Sequence, residues 1–395
     1  MKSSFFLPDL GLINALGSGI EVVSRKLFAG DTSGLRLEDG WLPDSPAMLG
    51  RVVDDLPEIP PYLKQHDCRN NRLLLAAVQQ IESQVTALIK RFGRERIGIV
   101  LGSSTSGIAE GGEALAYFRE HGCLPDGYRY VQQEPGGAAK FLSDYLALCG
   151  LAWVVSTACT SSAKAFVSAR GLLRQGLCDA VLVGGVDSLC KFTINGFAAL
   201  ESLSPEICNP LSVNRRGINI GEGAALFIMM RAEDGVNDSP ELLGAGESSD
   251  AHHMSAPHPE GIGAEMAMRA ALNDAALSAE DVDYVNLHAT ATRLNDAMES
   301  AALKRVFPEG VASSGTKPLT GHTLGAAGAT ELAFCWLALK AGRLPPHVWD
   351  GIADPALPAL DLVGFERSFP STGKRVCMSN SFAFGGSNVS LLIGT

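Results

Sequence analysis

The chain has 395 residues, 46% hydrophobic and 19% charged, a composition that buries a large core and excludes a disordered chain. The formal net charge is −11 and the sequence pI about 5.3, which disfavours a general binder of nucleic acid or anionic membrane, since both need a basic surface. Nine cysteines are scattered without a CxxC pair, so no zinc ribbon or dithiol redox motif is expected, and the pattern reads as reduced thiols in a cytoplasmic protein.

In chain order, the Phe5-Phe6-Leu7 run is too short for a signal-peptide core and stops at Pro8 and Asp9. Residues 73–91 carry a helical pattern, and Ile97–Gly102 reads as a buried strand. The uncharged stretch 145–163 approaches membrane-span length. Gly150 interrupts it and five hydroxyls load its end, so it is predicted as helix end, turn, buried strand and start of a further helix, with no membrane span. Strands are predicted at 152–155, 180–183, 225–229, 282–287 and 389–393, and helices at 164–174 and 260–276. Continuous apolar strands separated by helices predict an α/β fold whose sheet is covered on both faces. The polar stretch 231–240 reads as a connector, and each half closes with a strand after a glycine-rich turn, Gly221-Glu222-Gly223 and Gly385-Gly386. Two related α/β halves, 1–235 and 236–395, are therefore expected.

Three segments carry chemistry. Val154-Val155-Ser156-Thr157-Ala158-Cys159 places a thiol where a buried strand turns into a helix, whose unpaired N–H groups and dipole favour thiolate. A nucleophile and a buried structural thiol both fit at this point. Asn286-Leu287-His288-Ala289-Thr290-Ala291-Thr292 sets a histidine at a strand end beside two hydroxyls. Lys317 to Glu331 sets His322 at the opening of a small-residue helix in which Gly325, Gly328 and Ala329 allow close packing. Each histidine alone also fits a structural role.

T-A-C-T-S-S, N-x-H-x-T-x-T, K-x-x-T-G-H-x-x-G-A-A-G-A-x-E and N-S-F-x-F-G-G-S-N, in this order, closely resemble the motifs of the elongating β-ketoacyl-[acyl-carrier-protein] synthases, and the resemblance runs from about residue 97 to the end. It implies a thiolase-like fold of two pseudo-repeated halves, each with a five-stranded sheet, in α-β-α-β-α layers, with no cofactor beyond the phosphopantetheine that arrives on the carrier. It implies Cys159 as acyl-carrying nucleophile, His288 and His322 facing the thioester, Lys317 beside His322, and Glu331 paired with Lys317. Thr290 and Thr292 would meet the phosphopantetheine arm. The Cys159 and Phe384 amides would form the oxyanion hole, and Phe382 and Phe384 a gate to the acyl pocket. The implied partners are an acyl carrier protein and a second subunit, either another copy or a ketosynthase-like chain-length subunit.

The sequence also departs from that family. Ala289 and Ala291 stand where relatives usually carry Gly and Ser, which places extra methyls near the arm's route. Residues 7–17 lack the usual hydrophobic opening strand, and 204–219 are shorter than in housekeeping enzymes. These features point to a divergent branch of the aryl-polyene kind. Lys64, Arg69 and Arg72 fit either a carrier-binding patch or a solvated helix face, as do Arg215 and Arg216. His252, His253 and His258 read as the rim of the site, not as metal ligands. A non-catalytic chain-length subunit is the competing reading, and Cys159 with both histidines argues against it. A thiolase would need a second reactive cysteine, and Cys377 lacks the expected glycine-rich surround.

Overall fold

A computed structural model of the chain describes residues 4–232, 238–370 and 373–395. Ten strands build its centre: β1 Phe5–Asn14, β2 Ile97–Gly102, β3 Ala152–Val155, β4 Ala180–Asp187, β5 Gly223–Arg231, β6 Glu241–Ser249, β7 Tyr284–Leu287, β8 Ala312–Gly315, β9 Val376–Phe382 and β10 Ser387–Gly394. The first five pair in the order β3-β2-β4-β5-β1 and the second five in the order β8-β7-β9-β10-β6. Rank for rank the two orders are identical. So are the strand senses: the first three strands of each series run parallel and the remaining two join antiparallel. One pairing between β1 and β6, at Phe6 and Glu241, unites the two series into a single sheet.

Alternation along the strands explains the layering. Ala225, Phe227 and Met229 of β5 face one apolar cluster, while Leu226, Ile228 and Met230 face another. On β10, Val389, Leu391 and Ile393 join the first cluster and Leu392 a third. The shared central cluster holds α4 (Ser161–Arg174) and α7 (Ala327–Ala341) between the two halves. Helices α1 (Arg69–Gln79), α2 (Glu82–Phe92) and α3 (Gly137–Leu146) cover one outer face, and α5 (Ile262–Ala275) and α6 (Arg293–Val306) the other. The result is the five-layer α-β-α-β-α arrangement. Helix α7 is buried all round from Ala327 to Leu339, as expected of a helix enclosed by two sheets.

The structure corrects the sequence reading at several points. Residues 5–14 do form the opening strand: Phe5, Leu7, Leu10, Leu12 and Ile13 are buried, and Pro8 sits where the β1–β5 register shifts, a place that tolerates its missing N–H. The helix expected over 73–91 is two helices, broken where Gln80 turns away to bond the N–H and C=O of Leu12 on β1. The connector at 231–240 and the boundary between 235 and 236 fall largely on residues outside those described. The stretch 145–163 has the elements expected, from the end of α3 through β3 to the start of α4, but β3 is the last strand of the sheet order and is half-exposed, not buried as expected. No described helix is long and apolar enough to cross a membrane.

Helices α4 and α7 follow equivalent strands, β3 and β8, and their contact brings the two halves' strand ends together. Gly328 makes that contact possible, because a Cβ there would lie 2.8 Å from both the backbone N and the Cβ of Ala163. Gly328→Ala is expected to destabilise the protein by about 1–2 kcal/mol, since overpacking costs about 1–3 kcal/mol and exceeds the roughly 1 kcal/mol of helix propensity gained. Gly171→Ala, in α4 with open space around the position, should stabilise instead. Urea midpoints moving in opposite directions would support this packing, and both variants stabilising would contradict it.

Candidate active site

Chain reversal between β3 and α4 puts Cys159 on a tight elbow. Ala158 adopts a left-handed conformation, φ 52°, which costs an L-residue roughly 1–2 kcal/mol. Hydroxyls hold the turn: Thr157 N–H donates to Ser161 Oγ at 2.9 Å, Ser161 Oγ to Ala158 O at 2.6 Å, and Thr160 Oγ1 to Thr157 O at 2.8 Å. Cys159 is buried, and its Sγ lies 2.9 Å from His322 Nε2. Burial pushes the thiol up to about 12, against the pull of Lys317 and of the Phe384 N–H. Desolvation of the sulfur thus opposes the thiolate that the helix terminus favours.

His288 follows β7 directly. Its N–H and that of Ala289 each donate to Glu299 on α6 at 2.7 Å. Ala289 and Ala291 are left-handed at φ 38° and 59°, the conformation that glycine reaches freely. Both are fully buried and neither lines the cavity, so their methyls do not obstruct the arm's route. Lys317 opens a short helical turn after β8, and its ammonium donates to the His288 carbonyl and to Glu331 Oε1. It also lies 3.4 Å from His288 Nδ1. Lys317 therefore bonds His288, and it acts on His322 through space. An ammonium offers only donors, so His288 Nδ1 accepts and the ring proton sits on Nε2.

His322 stands between that turn and α7. Its N–H donates to Asn219 O at 2.7 Å and its C=O accepts from Gly221 at 2.9 Å. The two imidazoles meet edge to face, with centroids 5.4 Å apart at 85°. The sulfur and one nitrogen from each ring lie within 4.8 Å of one another. A tetrahedral zinc would hold S and N about 3.6 Å apart, so the 2.9 Å Sγ–Nε2 separation fits a hydrogen bond and not a metal bridge. Burial first, then Lys317, holds both rings well below the ordinary histidine value, and His322 adds to the effect on His288. Burial raises Glu331 to about 7 while Lys317 pulls it down.

These groups face a cavity of about 440 Å³ lined also by Thr290, Thr292, Phe382 and Phe384. The two threonine hydroxyls are 2.9 Å apart. The Phe384 ring stacks on Phe197 at 5.4 Å, and Phe382 meets His288 edge to face at 6.1 Å. The loop with His252, His253 and His258 forms the rim through Asp250, Ser255 and Pro257, and its Met254 carbonyl accepts the Gly385 N–H at 2.8 Å. Lys64, Arg69 and Arg72 lie elsewhere. Arg69 donates to the buried Glu222 and to Val52 O, and Arg72 pairs with Asp67. Both arginines line a separate cleft among Glu38, Asp54, Asp55 and Glu110, and Lys64 is exposed.

Sequence reading missed the carboxylates behind the site. Glu299 and Asp296 brace the His288 loop; burial raises them to about 7 and about 6, and backbone N–H donors pull them down. Asp187, at the end of β4, accepts from Ser103 Oγ, Thr105 N and Gly325 N, tying the segment after His322 to the other half. The available signal was acidic residues spaced to face one side of α6 immediately after a histidine loop.

The chain matches the family models Beta-ketoacyl synthase, N-terminal domain, over residues 58–235, and Beta-ketoacyl synthase, C-terminal domain, over 240–349. Nodulation protein E of Rhizobium meliloti is 39% identical over 66% of each chain, and that of Rhizobium sp. (strain N33) 34% identical over 99% of each. The 3-oxoacyl-[acyl-carrier-protein] synthase 2 of Rhizobium meliloti (strain 1021) is 30% identical over 98% of this chain and 97% of its own. The ketosynthase ApeO of Xenorhabdus doucetiae, solved in complex with its chain length factor ApeC, superposes with a TM-score of 0.94 at 45% identity, covering 100% of this chain and 98% of that one. With its fold, its converging thiol and imidazoles, and these full-length likenesses, the chain belongs to the β-ketoacyl synthase family.

Proposed function

We propose that this protein is the catalytic ketosynthase of an acyl-carrier-dependent pathway, lengthening an acyl chain by two carbons through decarboxylative condensation. The observation that carries the reading is the 2.9 Å contact between Cys159 Sγ and His322 Nε2, with the second imidazole 5.4 Å away. In the first half-reaction, His322 Nε2 takes the thiol proton as sulfur attacks the carrier thioester. The Cys159 and Phe384 N–H groups hold the tetrahedral oxyanion, and the departing carrier thiolate takes the proton back. In the second, a malonyl thioester loses CO₂. The enolate oxygen is held by N–H groups of the two neutral imidazoles, its carbon attacks the Cys159 thioester, and the cysteine sulfur leaves. His322 Nδ1 has no partner among the described residues, so either tautomer of that ring is open to it. Phosphopantetheine comes with the carrier, threaded past Thr290 and Thr292, and Phe382 and Phe384 gate the acyl pocket.

The division at 235/236 is part of this reading, supported by the repeated strand order. So is a heterodimer with a chain-length subunit in an aryl-polyene-type pathway, supported by the likeness to ApeO, which was solved with such a partner. A non-catalytic chain-length role for this chain is the alternative, and the assembled thiol and imidazoles speak against it.

Incubation with acyl-carrier thioesters of several lengths should add the acyl mass to the peptide bearing Cys159, and malonyl-carrier should then discharge it; a chain that gains no mass is the inert subunit. His322→Ala should slow acylation by roughly 10²-fold or more, the range of a positioned base. A second expectation concerns pH. Both imidazoles are depressed and must be neutral to work, so condensation should stay level as pH falls through 6.5 and fail only well below it. Lys317 lowers both values, so Lys317→Met should raise them and move the acid limb to higher pH. A limb already centred at pH 6.5 in the unaltered enzyme would defeat this account.

A further inference from the structure

Three arginines, Arg215, Arg216 and Arg293, line both the catalytic cavity and the groove that adjoins it. Arg215 is buried and matched: it pairs with Asp354 and lies 3.8 Å from Asp296. Arg216 and Arg293 are exposed. Arg216 comes no nearer than 4.0 Å to Glu206, with the two side chains 65% and 79% exposed, a contact of little worth in water. Arg293 makes no hydrogen bond or ion pair among the described residues and acts on Asp354 only through space. Of the carboxylates on the cavity wall, Asp250 is occupied by the His258 N–H and Asn388 Nδ2, which leaves Glu201. A protein of net charge −11 thus presents two uncommitted guanidinium groups at the mouth of its active site.

Their position says what they meet. Arg293 directly follows Thr292 and opens α6, whose first turn carries no side-chain cap, and Thr292 Oγ1 lies 2.9 Å from Thr290 Oγ1. An arm lying along the two threonines therefore leaves the cavity past Arg293 and the free N–H groups of that turn, both suited to an anion. We propose, on the strength of the ketosynthase reading, that Arg216 and Arg293 clamp the phosphodiester that joins the pantetheine arm to its carrier. Guanidinium offers the planar, paired donors that phosphate oxygens accept.

The test compares three donors of one acyl group: the carrier thioester, the 4′-phosphopantetheine thioester and the pantetheine thioester, which lacks the phosphate. With the unaltered enzyme, KM for acylation of Cys159 should be on the order of tenfold lower for 4′-phosphopantetheine than for pantetheine, the sum of two exposed charge pairs. In the double variant Arg216→Gln, Arg293→Gln the two should become equal, with kcat little changed and the dependence on salt reduced. Equal KM values in the unaltered enzyme, or a variant that loses the same factor on both small donors, would overturn the clamp. A loss confined to the carrier thioester would also overturn it, assigning the arginines to the carrier's acidic surface. Failure of every donor to label Cys159 in the unaltered enzyme sinks the ketosynthase reading instead.

Discussion

The contact between Cys159 Sγ and His322 Nε2 joins residues 163 positions apart, and the interior is organised around making it. The sulfur comes from the third strand–helix junction of the first half and the imidazole from the third junction of the second. In each half that junction lies at the carboxyl end of a parallel strand, where α/β sheets place their ligands. Bringing the two ends within hydrogen-bond reach requires α4 and α7 to touch almost backbone to backbone. Gly185 on β4 shows how tight the assembly is, since a Cβ there would stand 2.6 Å from Ser162 Cβ and 3.0 Å from Ala326 Cα. Small residues on these elements are dictated by the distance from sulfur to nitrogen.

Electrostatics in this dry interior follow from the same burial. Taking charge out of water raises the thiol and depresses both imidazoles, so the three reacting groups rest uncharged. A thiol and an imidazole can then exchange a proton over 2.9 Å, separating charge only while the thioester is attacked. Lys317 is the cation within this set, and Glu331 answers it. Its grip on His288 sets the tautomer, leaving Nε2–H to face an enolate, and its field opposes protonation of either ring. One buried ammonium thus performs two tasks that a residue beside His322 alone would not.

How much of this was legible in the sequence depends on range. Strands β2, β4 and β5 were readable because they are buried on both faces and run as nearly unbroken apolar stretches, while β3, the half-exposed last strand of the sheet order, was readable from its apolar run alone. Strand β6, Glu-Leu-Leu-Gly-Ala-Gly-Glu-Ser-Ser, was not, because its two glycines lie under α5, where a Cβ would strike the backbone of Ala271 or Ala267, and its end is polar. Strand β1 was obscured by Pro8 and Asp9 at its register shift. The thiol and both histidines could be named from their motifs. The pairing of Lys317 with Glu331 could be named as well, but its contact with His288 could not, because Lys317 also reaches across to a loop 29 positions earlier in the chain. The carboxylate partner of Arg69 was hidden for the same reason, since Glu222 lies 153 positions away.

What holds the catalytic loops in place was the least legible of all, and it follows one rule. Ala158, Ala289, Ala291 and Leu324 all take left-handed conformations that L-residues avoid, at φ 52°, 38°, 59° and 53°. All four lie within two or three residues of Cys159, His288 or His322. Such residues persist only where their surroundings over-determine them. Ala289 and Ala291 donate their N–H groups to Glu299 and Asp296, and Gly325, next to Leu324, donates to Asp187. Ala158 is backed by the Ser161 hydroxyl through its own carbonyl. Three of the four left-handed residues are thus anchored, directly or through the next residue, on a buried carboxylate whose other lone pairs take further N–H or O–H donors. A carboxylate suits this place because it accepts several bonds at once and donates none. Each costs desolvation, visible in the raised values of Asp187, Asp296 and Glu299, and each offsets that cost by bonding backbone that would otherwise be buried unpaired. The reactive groups are therefore uncharged at their tips and fixed at their roots by anions, so the loops stay rigid without placing a negative charge against the thiol.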